Sequence, residues 1–192
     1  KSSAASDVYK RQAVLHAQFE MIHPFLDGNG RMGRLLITLF LASKKILHTP
    51  CLYISAYLQR HRGAYYASLA KISKNNDWNT WISFFLRAVV EHSKANASLL
   101  MKMTDLYEIS KTQFAEATNS SLAMELLDYL FAQPIFTVPN LINQTKVKAS
   151  KATLLLAVQK LEKAGLVTKI SEGRGRRPTV WKFGALVDLI QD

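Results

Sequence analysis

The chain has 192 residues and a formal net charge of +11, with 48% apolar and 20% charged residues. This composition excludes a disordered chain and is sufficient for one medium domain or two small ones. The apolar run 35–42 is far shorter than the roughly 20 residues of a membrane span, and the single Cys51 cannot form an internal disulfide. We therefore expect a cytoplasmic protein with no membrane association.

The first structured element is expected to be a helix that leads into a polar loop. Residues 1–10 show no apolar period and no secretory signal, and we expect a non-native or disordered tail over residues 1–12. Leu15, Phe19 and Ile22 then follow at i, i+4, i+7 spacing, which predicts a helix over residues 13–22.

The next segment, 23–34, reads HPFLDGNGRMGR and contains the residue types of a phosphate site. Pro24 disfavours helical geometry at His23, so the helix should end there and leave His23 at the mouth of a loop. Gly28 and Gly30 can adopt positive φ, and a Gly-Asn-Gly loop that enters a helix can hold an anion with its backbone amides.

Charged side chains complete this pattern. Arg31 and Arg34 lie three residues apart on one helical face, where guanidinium groups can hold phosphate oxygens. Asp27 offers the oxygen ligand that Mg²⁺ prefers, beside phosphate and water. The alternatives are a turn-forming aspartate before glycine and two exposed helix charges. His23 is the group with a pKa suited to removing a hydroxyl proton near neutral pH.

The segment resembles the Fic signature, His-Pro-Phe-x-(Asp or Glu)-Gly-Asn-Gly-Arg-x-x-Arg, at every position. The resemblance continues through segments 51–57, 62–66 and 77–86 and covers roughly the first hundred residues. It implies a helical Fic-type core. The family's earlier helices, β-hairpin flap and inhibitory helix are not recognisable before His23, so we expect a partial core that is truncated at its N-terminus.

The resemblance implies protein adenylylation, the transfer of AMP from ATP and Mg²⁺ to a Ser, Thr or Tyr hydroxyl of a target protein. His23 would be the general base, Asp27 the Mg²⁺ ligand and Arg34 the γ-phosphate ligand. In the related Doc branch a lysine replaces the second loop glycine and the product is a phosphorylated protein, so Gly30 favours adenylylation. The implied nucleotide-contacting residues are Asp27, Gly28, Asn29, Gly30, Arg31, Met32, Gly33, Arg34, Tyr65 and Tyr66. The alternative for the tyrosine pair is that one of the two is a core residue.

Further helices are predicted over 31–44, 55–73, 78–92 and 93–118, with a core domain over 13–100 and a connecting helix over 101–119. The apolar residues of the helix 31–44 predict an inner stripe. That stripe consists of Met32, Leu35, Leu36, Leu39 and Phe40. The other histidines match no zinc-binding spacing and are interpreted as structural or exposed. They are His16, His48, His61 and His92.

A second domain is predicted over 120–192. Helix 122–131, a short helix after Thr137 and a helix 151–164 capped by Ser150 precede two alternating segments, 166–170 and 179–183, which predict a β-hairpin with a basic tip. This order resembles a winged helix-turn-helix, a domain that often follows a Fic core in bacterial proteins. The fold class is therefore mainly α, a Fic-type core followed by a small winged helix-turn-helix domain with a β-hairpin.

Ten Lys and Arg residues against two Glu residues in 146–182 indicate a basic surface on this second domain. Basic side chains there would bind DNA phosphates. The candidate DNA contacts are Lys151, Lys160, Lys163, Arg174, Arg176 and Arg177. The alternatives are packing on the core or a homodimer interface, with solvated lysines.

Three functions stay open from the sequence. The first is an adenylyltransferase, the second a nucleotide-sensing DNA-binding regulator, and the third a phosphotransferase or an enzyme that removes AMP at the same site. Gly30 disfavours phosphotransfer, and the absence of a recognisable inhibitory glutamate disfavours AMP removal.

Overall fold

The computed structural model describes residues 2–47, 52, 54–144, 149–175 and 177–191, with no side chains for residues 2–6. The chain divides into two compact units, Lys1–Asn96 and Ala97–Asp192. The long helix α5 (Trp78–Thr118) contains residues of both units. Sequence patterns predicted two helical stretches over this range and a separate connecting helix over 101–119. Phe114, in that range, is buried in the core of the second unit.

The first unit contains helices α1 (Ser2–Ile22), α2 (Asn29–Ser43), α3 (Ser55–Arg60), α4 (Arg62–Asn75) and the first part of α5. Trp81 and Phe85 of α5 are fully buried at the centre of its core. The predicted single helix 55–73 is two helices, because the chain leaves helical geometry at His61, with φ −105° and ψ 32°.

The expected disordered tail at 1–12 is wrong for the described residues. Helix α1 begins at Ser2, Val8 and Tyr9 pack against the core of the first unit, and Gln12 is completely buried. Tyr9, Ala13 and Ala17 recur every four residues, which places all three on the inner face of the helix. This period is inconspicuous in the sequence because two of its members are alanines.

The predicted inner stripe of α2 is only partly correct. Phe40 packs against the core of the first unit, but three of the five predicted residues are exposed. Leu35 and Leu39 are 46% and 51% exposed, and Met32 is exposed as well. The buried face instead carries Asn29, Gly33, Ile37, Thr38 and Leu41. This face is the inner one because Gly33, which has no side chain, allows α1 to approach closely. An added Cβ at Gly33 would overlap Oε1 of Glu20.

The second unit contains helices α6 (Ala123–Ala132), α7 (Val138–Gln144), α8 (Lys151–Lys163) and α9 (Gly184–Gln191). Strands β1 (Ile135–Phe136), β2 (Thr168–Ser171) and β3 (Val180–Lys182) form an antiparallel sheet in the order β1-β3-β2. The predicted mainly helical class with a small β-hairpin is confirmed. The sequence patterns missed β1 and α9. Strand β1 has two residues, too few to show an alternating pattern.

No helix within the described ranges has an apolar stretch long enough to cross a lipid bilayer.

Candidate functional site

His23 stands where α1 ends and the signature loop begins. Its amide still bonds to the carbonyl of Phe19 at 3.0 Å, but its φ of 49° is left-handed. Pro24 excludes the helical conformation at the residue before it, and His23 takes the left-handed one, at a cost of about 1 kcal/mol for a residue with a Cβ. The predicted helix end at His23 is therefore confirmed.

The imidazole of His23 is exposed, and Nδ1 lies 3.4 Å from the carbonyl oxygen of Glu20. A carbonyl can only accept, so this contact favours the tautomer with the proton on Nδ1. Nε2 then carries a free lone pair. The geometry leaves His23 able to take a proton from a group in the solvent-facing site.

The side chain of Asn29 stabilises the loop through two hydrogen bonds to the backbone of Phe25. Its side chain is buried, its Oδ1 accepts from the amide of Phe25 at 2.9 Å, and its Nδ2 donates to the carbonyl of Phe25. The predicted place of Asn29 in an anion cradle therefore rests on its backbone amide and not on its side chain. Both of its polar atoms are used to close the loop, and only its backbone amide faces the start of α2.

The first turn of α2 provides free backbone amides. Gly28 is the N-cap residue with φ 84°, a conformation that glycine adopts without strain. The first helical bond runs from the Met32 amide to the Gly28 carbonyl at 3.0 Å, so the amides of Asn29, Gly30 and Arg31 precede it and have no helical acceptor. These three amides can bind an anion.

Met32 and Gly33 do not contribute to such a cradle. The Met32 amide is used in the helix, and its side chain is on the exposed outer face. Gly33 is buried against α1, and its carbonyl accepts a hydrogen bond from His16 at 3.1 Å. The sequence placed both residues among the nucleotide contacts because they lie inside the signature, whereas helical geometry turns them away from the anion cradle.

Arg31 and Arg34 share a cavity of about 230 Å³ at this end of α2. Arg31 is largely exposed and lies 3.5 Å from Oδ2 of Asp27. The Arg34 guanidinium passes over Gly30, where an added Cβ would lie 3.2 Å from Nη1. Both guanidinium groups can therefore reach a phosphate bound at the amides.

The carboxylate of Asp27 is suitable for a metal ion that has few protein ligands. Its side chain is 94% exposed, and Oδ1 accepts from the amide of Gly28 at 2.7 Å. The described residues contain no group of three His, Cys, Asp or Glu side chains that could enclose a metal. Mg²⁺ fits this arrangement because it commonly binds one or two carboxylates and takes its other ligands from phosphates and water.

A second cavity of about 230 Å³ adjoins the first, since Arg34 and Ser55 line both. Its walls include Tyr65, Tyr66 and Arg62. Together the two cavities fall within the range of about 300–1,000 Å³ that is typical of ligand pockets. Phosphate-binding groups thus lie at one end and aromatic rings at the other.

The two tyrosines have different roles. Tyr65 is 8% exposed, its hydroxyl donates to Nε2 of His16 at 3.1 Å, and burial raises its pKa. Tyr66 is 55% exposed, and the Arg62 guanidinium lies 5.5 Å from its ring centroid. The structure therefore makes Tyr65 chiefly a core residue and leaves the Tyr66 ring free for a ligand.

His16 connects the elements that build the site. Nδ1 contacts the carbonyl of Gly33 in α2, Nε2 contacts Tyr65 in α4, and the ring stacks on Trp81 at 5.9 Å. Since Nδ1 must donate to a carbonyl, Nε2 accepts from Tyr65. Burial lowers the pKa of His16 to about 4, so the ring is neutral at pH 7. The expectation of a structural role holds for His16, and His48 lies outside the described residues.

Sequence patterns missed several residues of the two cavities. Ser55 and Gln59 of α3 and Thr38 of α2 line one or both of them. Their residue types are common at surfaces, and α3 lies more than ten residues beyond α2 in the chain. No local pattern could have identified these positions.

The candidate DNA contacts lie in the second unit. Lys151 and Lys163 are exposed near the two ends of α8, and Arg174 and Arg177 are exposed in the β2–β3 connection. Lys160 instead donates to the carbonyl of Thr118 at 2.8 Å, and Arg176 lies outside the described residues.

Comparison with known proteins relates the first unit to one family. Residues 2–41 match the Fic/DOC family. The chain is 42% identical over 62 residues to a probable protein adenylyltransferase of Aquifex aeolicus, covering 30% of this chain and 19% of that protein. It is 33% identical over 96 residues, half of the chain, to a protein adenylyltransferase of Caenorhabditis briggsae, and 32% identical over the same length to one of Caenorhabditis elegans. The matched region spans less than a fifth of the length of each of these relatives, 19% of the first and 17% of the others.

Proposed function

We propose that the chain, whose residues 2–41 match the Fic/DOC family, transfers AMP from ATP to a hydroxyl group of a protein. The target side chain would be Ser, Thr or Tyr. The observation that carries this proposal is that one short loop joins an exposed imidazole, that of His23, to a helix N-terminus followed by two arginines. A base stands beside a site for a polyphosphate, as a phosphorus-centred substitution needs.

The chemical step uses His23 as the general base. Nε2 removes the proton of the target hydroxyl as its oxygen attacks the α-phosphorus. The bond between the α-phosphorus and the bridging oxygen to the β-phosphate breaks, and pyrophosphate leaves. The products are an AMP ester on the protein and a protonated imidazole, which returns its proton to solvent. The contact between Nδ1 and the Glu20 carbonyl, at 3.4 Å, orients the ring.

The amides of Asn29, Gly30 and Arg31 and the two guanidinium groups would bind the phosphates and stabilise the charge that develops on them. Gly30 supports the orientation that leads to adenylylation. A side chain there would crowd Arg34, whose Nη1 lies 3.2 Å from the position of an added Cβ and would have to shift. With Arg34 in place, the terminal phosphate is held at the arginine end and the α-phosphate is left for attack.

Asp27 would hold Mg²⁺, which, when bound, neutralises phosphate charge and fixes the geometry of the triphosphate. The nucleoside would occupy the second cavity, with its base against the exposed ring of Tyr66. Tyr65 would act indirectly, because its hydrogen bond to His16 would keep α4 in position relative to α2.

The test is a paired labelling experiment with the full chain, Mg²⁺ and a bacterial lysate, using α-labelled ATP in one sample and γ-labelled ATP in the other. Label from α-labelled ATP alone should reach protein. His23→Ala should reduce transfer by about 10²–10⁴-fold, the usual contribution of a general base, and leave ATP affinity unchanged. His92→Ala is the matched control, since His92 lies on α5 and lines neither cavity of the site.

Other outcomes would identify a different reaction. Transfer from γ-labelled ATP would mean phosphorylation and would contradict the role given to Gly30. Release of AMP from a pre-labelled protein, without transfer, would mean removal of the modification. Normal ATP binding with no label from either nucleotide would contradict a transferase function for this chain.

A further inference from the structure

The second unit has an element order that the proposed transferase does not use. Helix α6 is followed by β1, then by α7 and α8, and then by the β2–β3 hairpin. The central strand of the sheet is β3, the last of the three in the chain. Two consecutive helices followed by a hairpin have the element order of a helix-turn-helix with a wing. We propose that this unit binds duplex DNA, with α8 in the major groove and the hairpin tip on the phosphate backbone.

Helix α8 has one face in the core and one free face. Leu154, Ala157, Val158 and Leu161 are buried. On the opposite side, Ala152, Leu156, Gln159 and Lys163 are all exposed. The major groove of B-DNA, about 12 Å wide, admits a single α-helix. Gln159 can pair with adenine, and the small or apolar side chains can contact thymine methyl groups.

The start of α8 is capped by a side chain and carries an exposed cation. Ser150 caps the helix, with Oγ accepting from the Thr153 amide at 3.1 Å. Lys151 is exposed in the first turn, so its charge adds to the positive end of the helix dipole. A DNA phosphate beside the major groove would be attracted by both the Lys151 ammonium group and the positive end of the helix dipole.

The tip of the hairpin presents two arginines on a tight turn. Arg174 and Arg177 form an isolated bridge, and Gly175 between them has φ 59°. The turn is closely packed, because an added Cβ at Gly173 would lie 2.8 Å from the Arg177 carbonyl oxygen. Both arginine side chains are exposed and can bind phosphate oxygens through paired donors.

The structure separates cations that have intramolecular partners from those that do not. Lys160 is bonded to Thr118. Lys169 lies 3.4 Å from Glu162, and Lys182 lies 3.7 Å from Asp188. Four other cations of α8 and the hairpin have side chains without a partner within the described part of the chain. They are Lys151, Lys163, Arg174 and Arg177. Lys163 thus lies on the free face of α8, Lys151 in its first turn and the two arginines on the hairpin, whereas Lys160 is already bonded within the protein.

The net charges of the two units do not by themselves favour DNA binding by the second unit. The second unit has 12 Lys and Arg residues against 9 acidic residues, whereas the first has 13 against 5. Non-specific attraction of DNA would therefore favour the first unit. A decisive experiment must distinguish attraction to that unit from binding at α8 and the hairpin.

The experiment measures the affinity of the full chain for a fluorescein-labelled duplex of mixed sequence, by anisotropy between 50 and 200 mM NaCl. Each phosphate contact contributes about 0.9 to the slope of log K against log salt. Arg174→Ala with Arg177→Ala should reduce that slope by about 1.8. The matched control, Lys44→Ala with Lys45→Ala, removes two exposed cations from the first unit and should leave the slope unchanged.

A second pair, Lys151→Ala with Lys163→Ala, tests α8 independently of the hairpin and keeps the proposal testable if the hairpin variant misfolds, which far-ultraviolet circular dichroism would show. A slope reduced equally by the control pair would assign binding to the first unit and overturn the proposal. So would no binding of the duplex at 50 mM salt. Tighter binding of a hairpin RNA than of the duplex, measured in parallel, would also refute it.

Discussion

The stability of the first unit should depend on pH through His16. Its pKa is about 4 in the folded protein, against 6.5 for an unperturbed histidine, because burial disfavours the charged ring. Between these two values the unfolded chain binds a proton that the folded chain does not. Stability is therefore fully present above pH 6.5 and is lost as the pH falls towards 4.

The size of this effect follows from the two pKa values. Linkage between pH 7 and pH 5 gives a loss of about 2 kcal/mol from His16 alone. His16→Gln should remove that loss, because a glutamine amide is neutral at both pH values and can still offer one donor and one acceptor. Burial raises the pKa of the neighbouring Glu20, which acts in the opposite direction, but Glu20 is present in both proteins.

The assay is urea unfolding at pH 7 and pH 5, followed by circular dichroism and by tryptophan fluorescence. The natural chain should lose about 2 kcal/mol more than His16→Gln over this range. His61→Gln, at an exposed histidine between α3 and α4, is the control and should behave as the natural chain does. An equal pH dependence in the natural chain and His16→Gln would refute the assignment of a buried neutral imidazole.

Three further predictions concern single side chains. Asn29→Ala should lower the free energy of unfolding by about 1–3 kcal/mol, because two backbone groups of Phe25 lose their partner. It should also weaken ATP binding, measured by calorimetry. Unchanged values for both would show that the loop does not depend on the hydrogen bonds of the Asn29 side chain. Tyr65→Phe should destabilise the first unit by about 1 kcal/mol, because it removes the hydroxyl that donates to His16. Tyr66→Ala should change stability by less than about 0.5 kcal/mol but weaken nucleotide binding. The reverse result would exchange the roles of the two tyrosines. Ser150→Ala should cost about 1 kcal/mol in chemical unfolding through loss of the α8 cap, and a value near zero would contradict the capping bond.

Local sequence was sufficient for features that depend on neighbouring residues. The end of α1 at His23, the turn at Gly28 and the cap at Ser150 follow from proline restriction, glycine permissiveness and a hydroxyl acceptor. The β2–β3 hairpin also followed from short alternating runs. Each of these features is decided within a few residues, so the printed sequence contains its cause.

Packing decided what the local patterns could not. Leu35 and Leu39 suggested the wrong inner face for α2, because Gly33 allows α1 to pack on the opposite side. Asn29 and Tyr65 are both polar members of the expected site, yet each uses its hydrogen-bonding atoms within the protein. The partner of Tyr65 is 49 residues away in the chain, a separation that no periodicity reveals.

The sequence by itself determined the chemical character of the site, because base, amides, carboxylate and arginines are contiguous in one segment. The tertiary structure alone decided which side chains remain free to act. The ring of Tyr66 is exposed to a ligand whereas that of Tyr65 is buried, and Arg34 lines both cavities. Lys160 of α8 is bonded to the Thr118 carbonyl. A residue's type states what it can bind, but only its neighbours in space determine whether its polar atoms are already bound.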